Sequence, residues 1–171
     1  MSRQFVIEAV MVAIYGQLLV PPEPVEYIVP YTTILELYEF QASPDPLMDN
    51  EADDSYVKRR ITELLAYLEE PLNQKRLRKA LQVPWAKSRP ILFSENTFFT
   101  IINAVDSAPY GEKFDPIETE LLLTAQREKL PLLTDQFELI QRILIESVPV
   151  QVYDIDDFHF AMEDRTLDNP L

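Results

Sequence analysis

Four carboxylates set the chemistry open to this chain: Glu8, Glu36, Glu118 and Asp135. They are far apart in sequence but stand at comparable places. Glu8 follows the apolar run "FVI", and Asp135 with Gln136 follows "PLLT", so each marks the end of a candidate strand. Glu36 and Glu118 stand early in the helical patterns "YTTILELYEF" and "PIETELLLTAQREKL". In an open parallel sheet, helices begin at the rim where strands end, and sites form beyond that rim. Acids from distant positions would then converge there. Carboxylates packed together repel one another, and the remedies are a hard divalent cation or retained protons. With Mg²⁺ or Mn²⁺ such a site can activate water and stabilise an in-line phosphoryl transfer.

The elements that must position these acids are clearest in the last third. "PIETELLLTAQREKL" is a helix with Pro116 suited to its first turn and with Glu118 and Glu120 complementing the helix dipole. "PLLT" reads as a buried strand, "DQFELIQRILIES" as a helix and "VPVQVY" as a strand. "DIDDFHFAMED" closes the pattern as a helix capped by Asp154 or Asp156. Strands alternating with helices imply a parallel sheet with helices on both faces.

Upstream, "RQFVIEAV" is a strand and "VMVAIYGQLL" a helix. "VPPEPVEYIVP" is an extended connection, and "YTTILELYEFQ" is a helix with Thr32 or Thr33 as N-cap. "ASPDPLMDNEADD" is a loop. Val57, Ile61, Leu64, Leu65 and Leu68 form a helical stripe, and a second helix runs over "LNQKRLRKALQV". Residues 51–84 thus read as a helical hairpin inserted in one domain spanning 1–171. "ILF" is a possible strand. Ser94 or Asn96 would cap a helix over "TFFTIINAV", and "DSAPYGEKFD" is a loop.

Composition removes several chemistries. The net charge of −14 argues against a general nucleic-acid binder. The charge is uneven: residues 51–90 hold nine Lys and Arg against six acids, leaving −17 for the rest. Only two glycines occur, Gly16 and Gly111, so no glycine-rich phosphate loop can form. His159 is the one histidine, which excludes multi-histidine metal sites, and it reads as a surface residue on the last helix. The absence of cysteine suits a reducing cytoplasm. No apolar run is long enough for a membrane span, and Glu8 interrupts the one stretch that resembles a signal peptide.

These features together resemble the PIN domain, the α/β fold of metal-dependent ribonucleases. The resemblance rests on Glu118 opening a helix that contains Thr124-Ala125. It continues through "LPLLT" followed by Asp135 and Gln136, and through "SVPVQVYDIDDF". Near the N-terminus it rests on "QFVIE" with Glu8 in an Asp place, and on "PYTTILELYEF" with Thr33, Glu36 and Leu37 in register. About half the chain is covered. The resemblance implies a PIN-like parallel sheet flanked by helices, with Glu8, Glu36, Glu118 and Asp135 around Mg²⁺ or Mn²⁺ for RNA hydrolysis. Glu stands in two Asp places and Gln136 in an acid place, which leaves two readings. One is an active nuclease with an altered site. The other is a PIN-like body without catalysis that binds a protein partner or itself. The whole chain also resembles a family of Bacillus-type bacteria sometimes labelled ADP-heptose synthase. That label would need a paired-histidine motif and a glycine-rich loop, and both are missing.

The basic runs Lys58, Arg59, Arg60 and Lys75, Arg76, Arg78, Lys79 admit three readings: an RNA-backbone patch, solvated helix faces, or a contact with the acidic surface of a second copy. Trp85 is either a packing anchor or a base-stacking platform.

Overall fold

The computed structural model describes residues 3–106, 108 and 110–163. Ser107 and Pro109 of the expected loop, and Asp164 of the expected last helix, lie outside them. The sheet is built outward from β1 (Arg3–Ile7). Its alternation is visible in the side chains: Phe5 and Ile7 enter one apolar core, and Val6 enters a second on the opposite face. β2 (Val25–Pro30) pairs parallel with β1, and β4 (Thr97–Ile102) pairs parallel with β2. On the other flank, the two-residue strands β5 (Leu132–Leu133) and β6 (Val152–Tyr153) continue in parallel. β3 (Ile91–Ser94) closes the first flank antiparallel to β4, giving the order β3-β4-β2-β1-β5-β6.

Seven α-helices among the described residues cover the two faces. α1 (Val10–Ile14), α2 (Tyr31–Ala42), α3 (Glu51–Leu68) and α7 (Ile155–Glu163) supply apolar side chains to the core around Phe5, Tyr27, Phe99 and Phe158. α5 (Pro116–Glu128) and α6 (Phe137–Ile145) cover Val6, Ile28 and Ile102. The α/β architecture, mostly parallel and flanked by helices, is therefore as its sequence implies.

Three segments differ from their sequence reading. "VPPEPVEYIVP" contains β2, a central strand, because its prolines fall before the strand and at its last position, where a ladder tolerates them. "TFFTIINAV" contributes a strand, not a helix. Ser94 and Asn96 cap no helix; their side chains donate to Leu19 and Pro21 carbonyls and so tie the β3–β4 turn to the chain entering β2. The expected first helix ends at Ile14, and a 3-10 turn (Gly16–Leu19) follows. The Tyr27 hydroxyl donates to the Leu18 carbonyl at 2.6 Å, anchoring that turn to the sheet.

The insert consists of α3 and α4 (Pro71–Ala80). Asn50 caps α3 by accepting from Ala52 and Asp53 N–H groups, and Pro71 begins α4 at a position that needs no N–H. Val57, Ile61, Leu64, Leu65 and Leu68 bury the expected stripe. The insert also holds the sheet border. The Tyr67 hydroxyl donates to the Leu92 carbonyl in β3, and Arg76 donates to the Pro90 carbonyl at 3.3 Å. Trp85 is half-buried against the α5–α6 core with the Arg127 guanidinium 4.3 Å above its ring, the arrangement of a packing anchor. No helix among the described residues is long and apolar enough to cross a membrane.

Candidate functional site

Connections leave β1 toward β2 on one side, whereas β5 lies on the other and leads away to β6. The strand order therefore reverses between β1 and β5, and the crevice beyond their carboxyl ends is the place for a site. Glu8 stands immediately after β1, and Asp135 and Gln136 stand just after β5.

α2 is fixed to this rim by one threonine. Thr33 is not the N-cap; that position is Pro30, which supplies no side-chain cap. Instead the buried Thr33 hydroxyl accepts from Ala9 N–H at 3.2 Å and donates to the Pro30 carbonyl at 2.8 Å. This cross-link joins the residue after Glu8 to the first turn of the helix that carries Glu36. Thr33→Val keeps the shape but strands the Ala9 N–H and the Pro30 carbonyl. A loss of about 1–3 kcal/mol is expected in urea denaturation, and a loss near zero would refute the cross-link.

Glu8 is only 7% exposed, and its Oε1 accepts from Gln136 Nε2 at 2.6 Å. Burial, then the charges of Glu36, Asp135, Asp115 and Glu118, push its carboxyl up to about 8. Glu36 is pushed up to about 7, by burial first and then by Asp115 and Glu39. The two carboxyls do not ionise independently: Glu36 ionises at the lower value, and Glu8 must then ionise against its charge. Among the described residues, Glu36 Oε1 is a buried oxygen without a hydrogen-bond partner. A proton on that carboxyl lowers the cost of its burial.

Glu118 is in a different state. Asp115 caps α5 by accepting from Glu118 N–H at 2.7 Å, and Glu118 Oε1 accepts from Asp115 N–H at 3.0 Å, a reciprocal capping box. Both Glu118 oxygens also accept from Arg142 of α6, at 2.8 and 2.6 Å. Burial alone would raise its carboxyl, but the Arg142 hydrogen bonds and charge, together with the Asp115 N–H, hold it below the ordinary value. Arg142 further donates to the Lys113 carbonyl and lies 5.3 Å from the Phe114 ring centre. Asp135 is exposed at the mouth, where its Oδ2 accepts from the Tyr15 hydroxyl. Burial first, then that contact, pushes Tyr15 up to about 12.

Of the sequence acids, Glu36, Asp135 and Glu118, with Asp115, add to the upward push that burial gives Glu8. Sequence reasoning missed their partners. Arg142 carried a signal, being the sole Lys or Arg between residues 130 and 163 and lying in the apolar run "FELIQRILI". Tyr15 carried none. Glu120, read as a dipole complement, is buried and accepts from the Thr32 hydroxyl at 2.5 Å; burial raises its carboxyl although that bond opposes the shift.

The fit to a divalent ion is decided by Arg142. With both Glu118 oxygens engaged by a guanidinium, the remaining carboxylates are Glu8, Glu36 and the exposed Asp135, whose Oδ2 accepts from Tyr15. Among the described residues, no group of three His, Cys, Asp or Glu side chains is arranged to hold a metal ion. The residues as arranged do not fit a cage of three or four carboxylates.

The basic residues are partly committed elsewhere. Lys58 donates to the Ser43 and Asp45 carbonyls and pairs with Asp54, stapling the 43–49 loop onto α3. Arg59 and Arg60 stack near Tyr56, and Arg60 also pairs with Glu63 at 3.9 Å. Arg76 holds Pro90, while Lys75, Arg78 and Lys79 are exposed on α4.

No protein-family model matches the chain, and no curated protein matches it.

Proposed function

We propose that this chain is a PIN-like interaction protein whose acidic crevice is neutralised internally and serves structure, not hydrolysis. The Arg142–Glu118 fork carries this reading: a fixed cation of the protein takes the charge that a bound metal would otherwise take. Gln136 on Glu8 and Tyr15 on Asp135 add neutral hydrogen bonds from the protein's own side chains. The strand order, with β1 between β2 and β5 and acids beyond the carboxyl ends, supports the PIN-like likeness.

One observation favours a second reading, a Mg²⁺- or Mn²⁺-dependent ribonuclease. Glu36 Oε1 has no partner, and Glu8 stands close enough to feel its charge. Mg²⁺ is often held by only one or two carboxylates.

Calorimetric titration with Mn²⁺, run on wild type and Glu8→Gln, separates the two. So does incubation of generic single-stranded RNA with either metal. No Mn²⁺ heat and intact RNA are expected. Mn²⁺ binding that Glu8→Gln abolishes, together with RNA cleavage lost in the same variant, would establish the nuclease and overturn the proposal.

A further inference from the structure

α6 has two apolar faces where packing requires one. Leu139 and Ile143 are buried against the sheet. Phe137, Leu144 and Ile145 are 69%, 72% and 74% exposed, and with Gln141 they recur at i, i+4, i+7 and i+8 on the outer side. Exposed acids border this stripe: Glu138, Asp135, whose Oδ2 accepts from Tyr15, and Glu146, which lies 4.0 Å from Lys113. The one cation of the helix, Arg142, is turned to Glu118. The outer face of α6 is therefore apolar with an anionic border.

α4 has the complementary character. Its ten residues contain Lys75, Arg76, Arg78 and Lys79 and no acid. Leu72 is exposed on the same face as Lys75 and Lys79, and Val83 is exposed just beyond the helix. Elsewhere the chain is strongly acidic, with residues outside 51–90 carrying −17. Two copies approaching acid face to acid face repel, so encounter is favoured when α4 leads.

We infer that the outer face of α6 docks on the α4 face of a second copy of this chain. Phe137, Leu144 and Ile145 would cover the aliphatic ends, and Asp135, Glu138 and Glu146 would meet Lys75, Arg78 and Lys79. This names the partner within the reading of the chain as an interaction protein. The two faces differ, so the contact is head to tail. It leaves one free α4 and one free α6 at the ends of every open assembly.

The experiment is sedimentation velocity over a concentration series of the full chain, with two surface variants whose fold is checked by circular dichroism. Lys75→Glu/Lys79→Glu damages only the α4 face, and Leu144→Asp only the α6 face. Wild type is expected to grow in size with concentration, and each variant alone to associate at least about tenfold more weakly. Mixing the two variants is expected to give a one-to-one pair that grows no further, because each retains the face the other lacks. A wild type that stays monomeric overturns the inference. So does an assembly that survives Lys75→Glu/Lys79→Glu but not Leu144→Asp, which would be α6 against α6. Either result leaves the Mn²⁺ and RNA outcomes untouched, so failure of this contact and failure of the non-catalytic reading are distinguishable.

Discussion

Arg142→Ala is expected to destabilise the protein by about 2–4 kcal/mol at neutral pH. Removing one partner of a buried ion pair costs roughly 3–5 kcal/mol because the other charge stays behind without compensation. Glu118 is well shielded, with its side chain 12% exposed, but the Arg142 side chain is 38% exposed and water replaces part of what is lost. That places the loss toward the lower end. The variant also loses the bond to the Lys113 carbonyl and the contact with Phe114. Arg142→Lys should recover only a minor part, since an ammonium cannot reproduce the two-pronged contact. The pH dependence has a definite sign. The Glu118 carboxyl is held below its ordinary value, so the pair's contribution is present above that value and is lost as pH falls through the lower, folded one. The deficit of Arg142→Ala, read from urea denaturation, should therefore be full at neutral pH and shrink in acid. A double-mutant cycle with Glu118→Gln should return a coupling of about 1–3 kcal/mol, and a coupling near zero would refute the pair.

Glu8→Gln should act in the opposite direction. The Glu8 carboxyl ionises at about 8 in the folded chain, against an ordinary value of 4.5. Between those values the folded state holds a proton that the unfolded state releases. Wild-type stability from this group is complete below about 4.5 and is lost as pH climbs toward 8. Glutamine can still accept from Gln136 and cannot ionise. Relative to wild type, Glu8→Gln should be nearly neutral near pH 4 and more stable by an amount on the order of a few kcal/mol at pH 9. Glu36 steepens the same window, since it too is raised, to about 7. Thermal melts across this range are the measurement. A variant no more stable than wild type at pH 9 would mean that the Glu8 charge is already balanced, as a bound cation would do, and would favour the nuclease reading.

The two variants also show which parts of the site could be read in advance. The acids were legible because strand ends and helix starts leave local marks: "FVI" before Glu8, "PLLT" before Asp135, and Pro116 ahead of Glu118. Their compensation was not legible. The Arg142 contact with Glu118 spans 24 residues and exists only because α5 and α6 cover the same face of the sheet. Tyr15 reaches Asp135 across 120 residues. The same division runs through the fold. β1, β5 and the helices α2 to α7 followed from periodicity and punctuation. β2 was obscured by four prolines at 21, 22, 24 and 30. β4 was obscured because Ser94 and Asn96 look like caps when what they hold is a turn against a distant loop. Local rules see an amide or hydroxyl near an apolar run, but not the carbonyl that will accept from it.

The grip of Tyr67 and Arg76 on the border strand bears on how these molecules tolerate crowding. Border strands are templates on which foreign chains can lengthen a sheet into a fibril. Here one border has the Leu92 carbonyl of β3, and the Pro90 carbonyl just ahead of it, already engaged by the hairpin, and the other is a strand of only two residues. An alien strand at β3 must therefore compete with the hairpin, so the insert is also a guard on the sheet, separate from anything the crevice does.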